Sequence, residues 1–143
     1  MLKRSRQPKQ RVYYAHAICM YGWPAERHEL RTIRRKFRGS RIVNPAAYSD
    51  HPAKRRDTMG FCLTLVAESD TVVFSRILGK ITSGVGKEVN HALRLGKTVF
   101  EVGAGGKLVR RRTRVTYVSR RATLALYPRW RLVQYRTPSL RPR

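Results

Sequence analysis

The chain has 143 residues, 41% of them apolar, which suits one domain with a buried core. Its 32 Lys and Arg against 8 Asp and Glu give a formal charge of +24, and self-repulsion on that scale opposes a compact state unless counter-charge is supplied. No apolar run approaches the roughly 18 to 20 residues of a membrane span, and no amphipathic helix or lipidation motif argues for a membrane surface. The opening Met-Leu-Lys-Arg-Ser-Arg-Gln-Pro-Lys-Gln lacks the apolar stretch of a secretory signal, so a cytoplasmic protein is expected. Cys19 and Cys62 are too few for a disulfide framework. His16 and Cys19 have no partner pair at metal-ligand spacing, so neither a metal nor a cofactor is expected.

The first strand is read at Val12-Tyr13-Tyr14-Ala15-His16-Ala17-Ile18. Pro24 suits the first position of a helix running to about Phe37, whose apolar stripe is Leu30, Ile33 and Phe37. Arg41-Ile42-Val43-Asn44 reads as a second strand stopped by Pro45. A loop through Pro52 leads to one helix ending near Glu68, with Met59, Cys62, Leu63 and Val66 facing inward. Thr71-Val72-Val73-Phe74 is the uninterrupted apolar run of a central parallel strand. A loop then feeds a third helix to about Leu95, which Gly96 stops, and Thr98-Val99-Phe100-Glu101-Val102 is the fourth strand. The series predicts an α/β fold: a Rossmann-like three-layer sandwich with a short parallel sheet of about four to five strands. Beyond Gly103-Ala104-Gly105-Gly106, residues 108–118 and 124–135 have strand-like composition, and a basic C-terminal β-hairpin or extended tail is expected. The expected division is a basic N-terminal tail (1–10), an α/β domain (11–102) and an acid-free extension (103–143).

In an open parallel sheet, ligands bind beyond the carboxyl ends of the strands. There Thr82-Ser83-Gly84-Val85-Gly86-Lys87-Glu88-Val89 places two glycines at a helix start, where amide groups and the helix dipole can hold a phosphate. Together with Tyr13-Tyr14-Ala15-His16-Ala17 through Gly22, Val43-Asn44-Pro45-Ala46, Ser69-Asp70-Thr71-Val72-Val73, Ala92-Leu93 and Leu95-Gly96-Lys97, this motif resembles the nucleoside 2-deoxyribosyltransferase-like superfamily over residues 11–102. Within it the chain is most similar to the 2′-deoxynucleoside 5′-phosphate N-hydrolases. The resemblance implies Glu88 as the carboxylate that attacks the anomeric carbon, with Ser83, Gly84 and Gly86 as 5′-phosphate donors and a nucleotide in the pocket. Cys62 stands where the family has a second acid, and Thr82 where its transferase members have an aspartate.

All eight acids lie within residues 11–102, which carry 16 basic residues; residues 1–10 add four and residues 103–143 twelve, with no acid in either stretch. Arg outnumbers Lys about threefold, which favours bidentate phosphate contacts and stacking on bases. The residues expected to meet RNA are Lys3, Arg4 and Arg6 in the N-terminal tail. In the C-terminal stretch they are Lys107, Arg110, Arg111, Arg112, Arg114, Arg120, Arg121, Arg129, Trp130, Arg131 and Arg136. The acid-free ends resemble the extensions of ribosomal proteins. The leading expectation is an RNA-binding ribonucleoprotein component whose partners are rRNA and neighbouring proteins of the particle, with an idle or altered nucleotide pocket. The alternative is a nucleotide or nucleic-acid N-glycosidase or deoxyribosyltransferase that uses Glu88.

Overall fold

The computed structural model describes residues 9–137; the expected RNA contacts Lys3, Arg4 and Arg6 and the tail beyond residue 137 lie outside them. Five strands, β1 (Arg11–Ala15), β2 (Arg41–Val43), β3 (Thr71–Phe74), β4 (Thr98–Val102) and β5 (Leu108–Arg111), form one sheet in the order β2-β1-β3-β4-β5. The first four are mutually parallel, and β5 runs antiparallel to β4 with Phe100 opposite Arg110. This is the expected Rossmann-like α/β sandwich. The helices are α1 (Pro24–Lys36), α2 (Pro52–Arg56), α3 (Thr58–Ala67), α4 (Ser83–Arg94) and α5 (Arg120–Arg136).

The two-residue period of β1 sorts its side chains between the layers. Val12 and Tyr14 face α1, where Leu30 and Ile33 meet them, while Tyr13 and Ala15 join Cys62, Leu65, Val66, Val85 and Val89 of α3 and α4. Helix α1 begins with Pro24 in its first turn and ends with Arg34, Arg35 and Lys36, charges that suit the negative end of the helix dipole. Gly96, with φ 72°, adopts the left-handed conformation that lets the chain leave α4 for β4.

Two sequence expectations change. The single helix expected up to Glu68 is two, because Asp57 takes an extended φ of −149° and its Oδ1 accepts from the Gly60 amide at 2.9 Å, capping α3. Leu65 takes the core place expected of Leu63, which is only half-buried. The larger change is at the C-terminus. Residues 108–111 do form an edge strand, but residues 120–136 are helix and not the second arm of a hairpin. Ser119 Oγ caps that helix by accepting from the Ala122 amide at 3.1 Å. Its buried positions, Thr123, Leu126, Trp130 and Gln134, recur at helical spacing. Two of the four are polar, so the stripe does not show in an apolar-periodicity reading.

Helix α5 is packed onto the domain. Leu126 and Trp130 close a third cluster with Ala17, Cys19, Met20 and Ile77 at the carboxyl rim of the sheet. Among the described residues no helix is long and apolar enough to cross a membrane.

Candidate functional site

The strand order reverses at β1 and β3, and the loops that leave their carboxyl ends diverge to opposite faces, opening the crevice in which this fold class binds ligands. Glu88, one turn into α4, lies there with 6% of its surface exposed. The Tyr13 hydroxyl donates a hydrogen bond to Glu88 Oε2. Burial pushes the Glu88 carboxyl up to about 7, against the opposing effects of the Tyr13 hydrogen bond and the Lys54 charge. Lys54 is itself buried; its ammonium donates to the Pro45 carbonyl at 2.7 Å and sits 5.1 Å from the centre of the Tyr21 ring. Cys62 of α3 is a buried thiol whose pKa burial and the Glu88 charge both raise.

A second titratable group borders the same crevice. His16 Nε2 lies 2.7 Å from Glu26 Oε2, and His16 Nδ1 lies 3.1 Å from the Tyr14 carbonyl, with the imidazole stacked on the Tyr14 ring at 3.7 Å. Burial acts to raise the Glu26 carboxyl, but the hydrogen bonds with His16 and from the Gly22 amide hold it below its usual value. The Tyr14 hydroxyl donates at 2.5 Å to Glu29, whose carboxyl burial pushes up. Sequence reasoning did not single out Glu26, Glu29 or Lys54. A signal existed for Glu26: it stands four residues before Leu30 and so continues the inward stripe of α1. Lys54, on a five-residue helix, carries no such sign.

Helix α5 covers this crevice. Tyr127 joins His16, Tyr21, Cys62, Thr82 and Glu88 around a cavity of about 50 Å³. Ligand pockets for small molecules run from roughly 300 to 1,000 Å³, so this cavity has room for water and none for a nucleotide. The expected phosphate donors are largely occupied as well. The Ser83 amide donates to Thr123 Oγ1 of α5 at 2.9 Å, and the Gly86 amide to the Thr82 carbonyl at 2.9 Å. Gly84 alone of the three borders the cavity. Gly86 serves a different need: a Cβ there would overlap the ring of Tyr117, which lies directly on it.

Of the expected RNA contacts, Lys107, Arg110, Arg112, Arg114, Arg120, Arg121, Arg129, Arg131 and Arg136 are exposed. Arg111 is half-buried and pairs with Glu101 at 3.1 Å, a carboxylate it shares with Arg76 at 3.0 Å. Trp130 does not fit its expected role: it is 5% exposed, edge-on to Trp23 at 5.3 Å, and part of the core. Its apolar bulk is used in packing, so no face is open to a base. A hollow of about 560 Å³ lies between α1 and the start of β5, beside His28, Arg35, Lys36 and Lys107. Among the described residues no group of three or more His, Cys, Asp or Glu is placed to hold a metal ion. No protein-family model and no curated protein matches the chain.

Proposed function

We propose that this protein is an RNA-binding component of a ribonucleoprotein particle, rRNA being the expected RNA, and that its α/β crevice is closed by its own C-terminal helix. One observation carries the reading: residues 103–143 hold twelve basic residues and no acid, and nine of the basic positions in the described part are exposed. A solvated protein surface normally mixes signs, whereas a one-signed arginine surface is what phosphate contacts require. The closed cavity supports the binding reading, because an enzyme for nucleotides needs a pocket that admits one.

Filter binding with total RNA over a salt series tests this reading. Each single-strand phosphate contact contributes about −0.7 to the slope of log affinity against log salt, so a surface of this kind gives a slope of about −4 or steeper. Weak, salt-independent binding would sink the proposal. For the particle, sedimentation of a native lysate is decisive: the protein co-migrates with a large RNA-containing particle at moderate salt, and migration as a small protein counts against it.

A second reading, an N-glycosidase or deoxyribosyltransferase using Glu88, is favoured by a carboxyl with a pKa of about 7 at the strand-order reversal. Base release from 2′-deoxynucleoside 5′-monophosphates that disappears in Glu88→Gln would establish it. Equal, background-level release by both proteins eliminates hydrolysis of free deoxynucleotides.

A further inference from the structure

A hollow separate from the Glu88 cavity lies on the outer side of α4, where the connection from β5 to α5 crosses that helix. Its volume is about 430 Å³, within the range of small-molecule sites. Leu63 of α3 and Leu93 of α4 give it an apolar floor, while Lys87, Arg94 and Arg114 are exposed at its rim. None of the described residues lining it is acidic.

Tyr117 forms one wall. Its ring lies on Gly86, the one residue type that permits so close an approach, and 37% of the residue stays exposed. The crossing segment is pinned in place: the Val115 amide donates to Asn90 Oδ1 at 2.9 Å, and Asn90 Nδ2 donates to the Val115 carbonyl at 3.0 Å. The Val118 amide donates to the Ile81 carbonyl at 3.0 Å. Tyr117 is thus held by backbone bonds on either side of it. It also borders a smaller hollow of about 240 Å³ containing Arg76 and Lys80, so the ring stands between two basic depressions.

From this arrangement we infer that the α4 face binds an unpaired nucleotide of single-stranded RNA, its base stacked on Tyr117 above Leu63 and Leu93 and its phosphates held by Lys87, Arg94 and Arg114. An aromatic face set among cations is the chemistry that single strands select. A paired base, held in its duplex stack, has no face to offer the ring. The inference rests on the RNA-binding reading above and specifies where and in what form the RNA is held.

Fluorescence anisotropy with a 12-nucleotide unstructured RNA and a duplex of matched length tests it on the full chain. Tyr117→Leu keeps an apolar cover over Gly86 and removes the stack, so single-strand affinity falls about tenfold, the order expected for one stacked base. Duplex affinity stays within twofold, and Tyr117→Phe restores single-strand affinity. The pair Lys87→Glu and Arg114→Glu also weakens single-strand binding and makes its salt slope shallower. If the wild-type protein binds single strands and Tyr117→Leu leaves that affinity within twofold, the site is overturned and the RNA-binding reading survives. An equal loss on single strand and duplex overturns the stacking role. Failure of the wild-type protein to bind either RNA overturns the RNA-binding reading and this site together.

Discussion

Residues 11–102 and residues 103–137 are packed into one structure but follow different rules. The first region holds all eight acids and turns several of them inward, as in Glu88 with Tyr13, Glu26 with His16 and Glu29 with Tyr14. The second holds no acid, and its arginines point outward except Arg111, which reaches back to Glu101 of the first. Yet that basic region supplies the cover over the crevice, through Thr123 and Tyr127, and part of the rim core, through Leu126 and Trp130. One segment therefore closes the crevice at the carboxyl rim of the sheet and presents a surface of one sign. Exposed charge and buried packing alternate along it at helical spacing.

The sharpest way to break this comparison is to reverse charge in each region separately. Glutamate at Arg112, Arg114, Arg120 and Arg121 should lower RNA affinity by about a thousandfold near physiological salt, since each lost phosphate contact is salt-sensitive and each new acid repels. Glutamate at Arg31, Arg34, Arg35 and Arg38 on and after α1, equally exposed, serves as the matched set and should cost less than about tenfold. Equal losses from the two sets would show that the acid-free region is not special.

Trp130 separates the two uses of α5. Trp130→Ala removes a buried aromatic from the rim cluster and should destabilise the fold by about 4 kcal/mol in denaturant melts. RNA affinity of the folded protein should be unchanged. A stable variant with weakened RNA binding would return Trp130 to the stacking role expected from sequence.

The sequence carried the sheet well, because each parallel strand is a short β-branched or aromatic run and α1 and α4 have ordinary helix boundaries. It carried α5 poorly. Arg, Tyr, Trp and Val between residues 124 and 135 suit an extended chain by composition, and Pro128 argues against a helix. The Ser119 cap and the long-range partners of Trp130 decide otherwise, and one of those partners, Trp23, is more than a hundred positions away. The candidate site was legible in part for the same reason. Glu88 and Gly84 follow from a local motif, whereas the closure of the crevice depends on where residues 123–127 come to lie. Tyr117 over Gly86 is a case of a glycine whose position was legible and whose purpose was not.

The first region should also show its buried acid in the pH dependence of stability. Because the Glu88 carboxyl is pushed up to about 7 in the fold, the native state keeps a proton that the unfolded chain has already released. Stability attributable to this group is therefore fully present below the ordinary carboxylate range, falls as pH rises towards 7, and levels off above it. The size is on the order of 3 kcal/mol. Glu88→Gln retains an acceptor for Tyr13 and has no proton to lose, so its stability relative to wild type should increase from pH 4.5 to pH 8. Parallel melting curves across that range would mean that Glu88 titrates normally and that the cavity is wetter than its volume implies. RNA affinity should be the same in both proteins, since the carboxyl is not part of the basic surface.

The smallest effect tests the joint between the regions. Thr123 Oγ1 accepts the Ser83 amide across 40 residues of sequence, satisfying one of the amides that a helix start leaves without an intrahelical partner. Thr123→Val preserves shape and removes the acceptor, so the expected cost is about 1 kcal/mol, the usual value of a helix-capping bond. Hydrogen exchange at the Ser83 amide should accelerate by about tenfold, while amides in β3, buried in the same sheet, keep their protection. If the Ser83 amide exchanges equally fast in wild type and variant, α5 does not hold the start of α4. The crevice would then be open in solution, and the nucleotide-hydrolysing reading of Glu88 would gain the access it lacks in the closed structure.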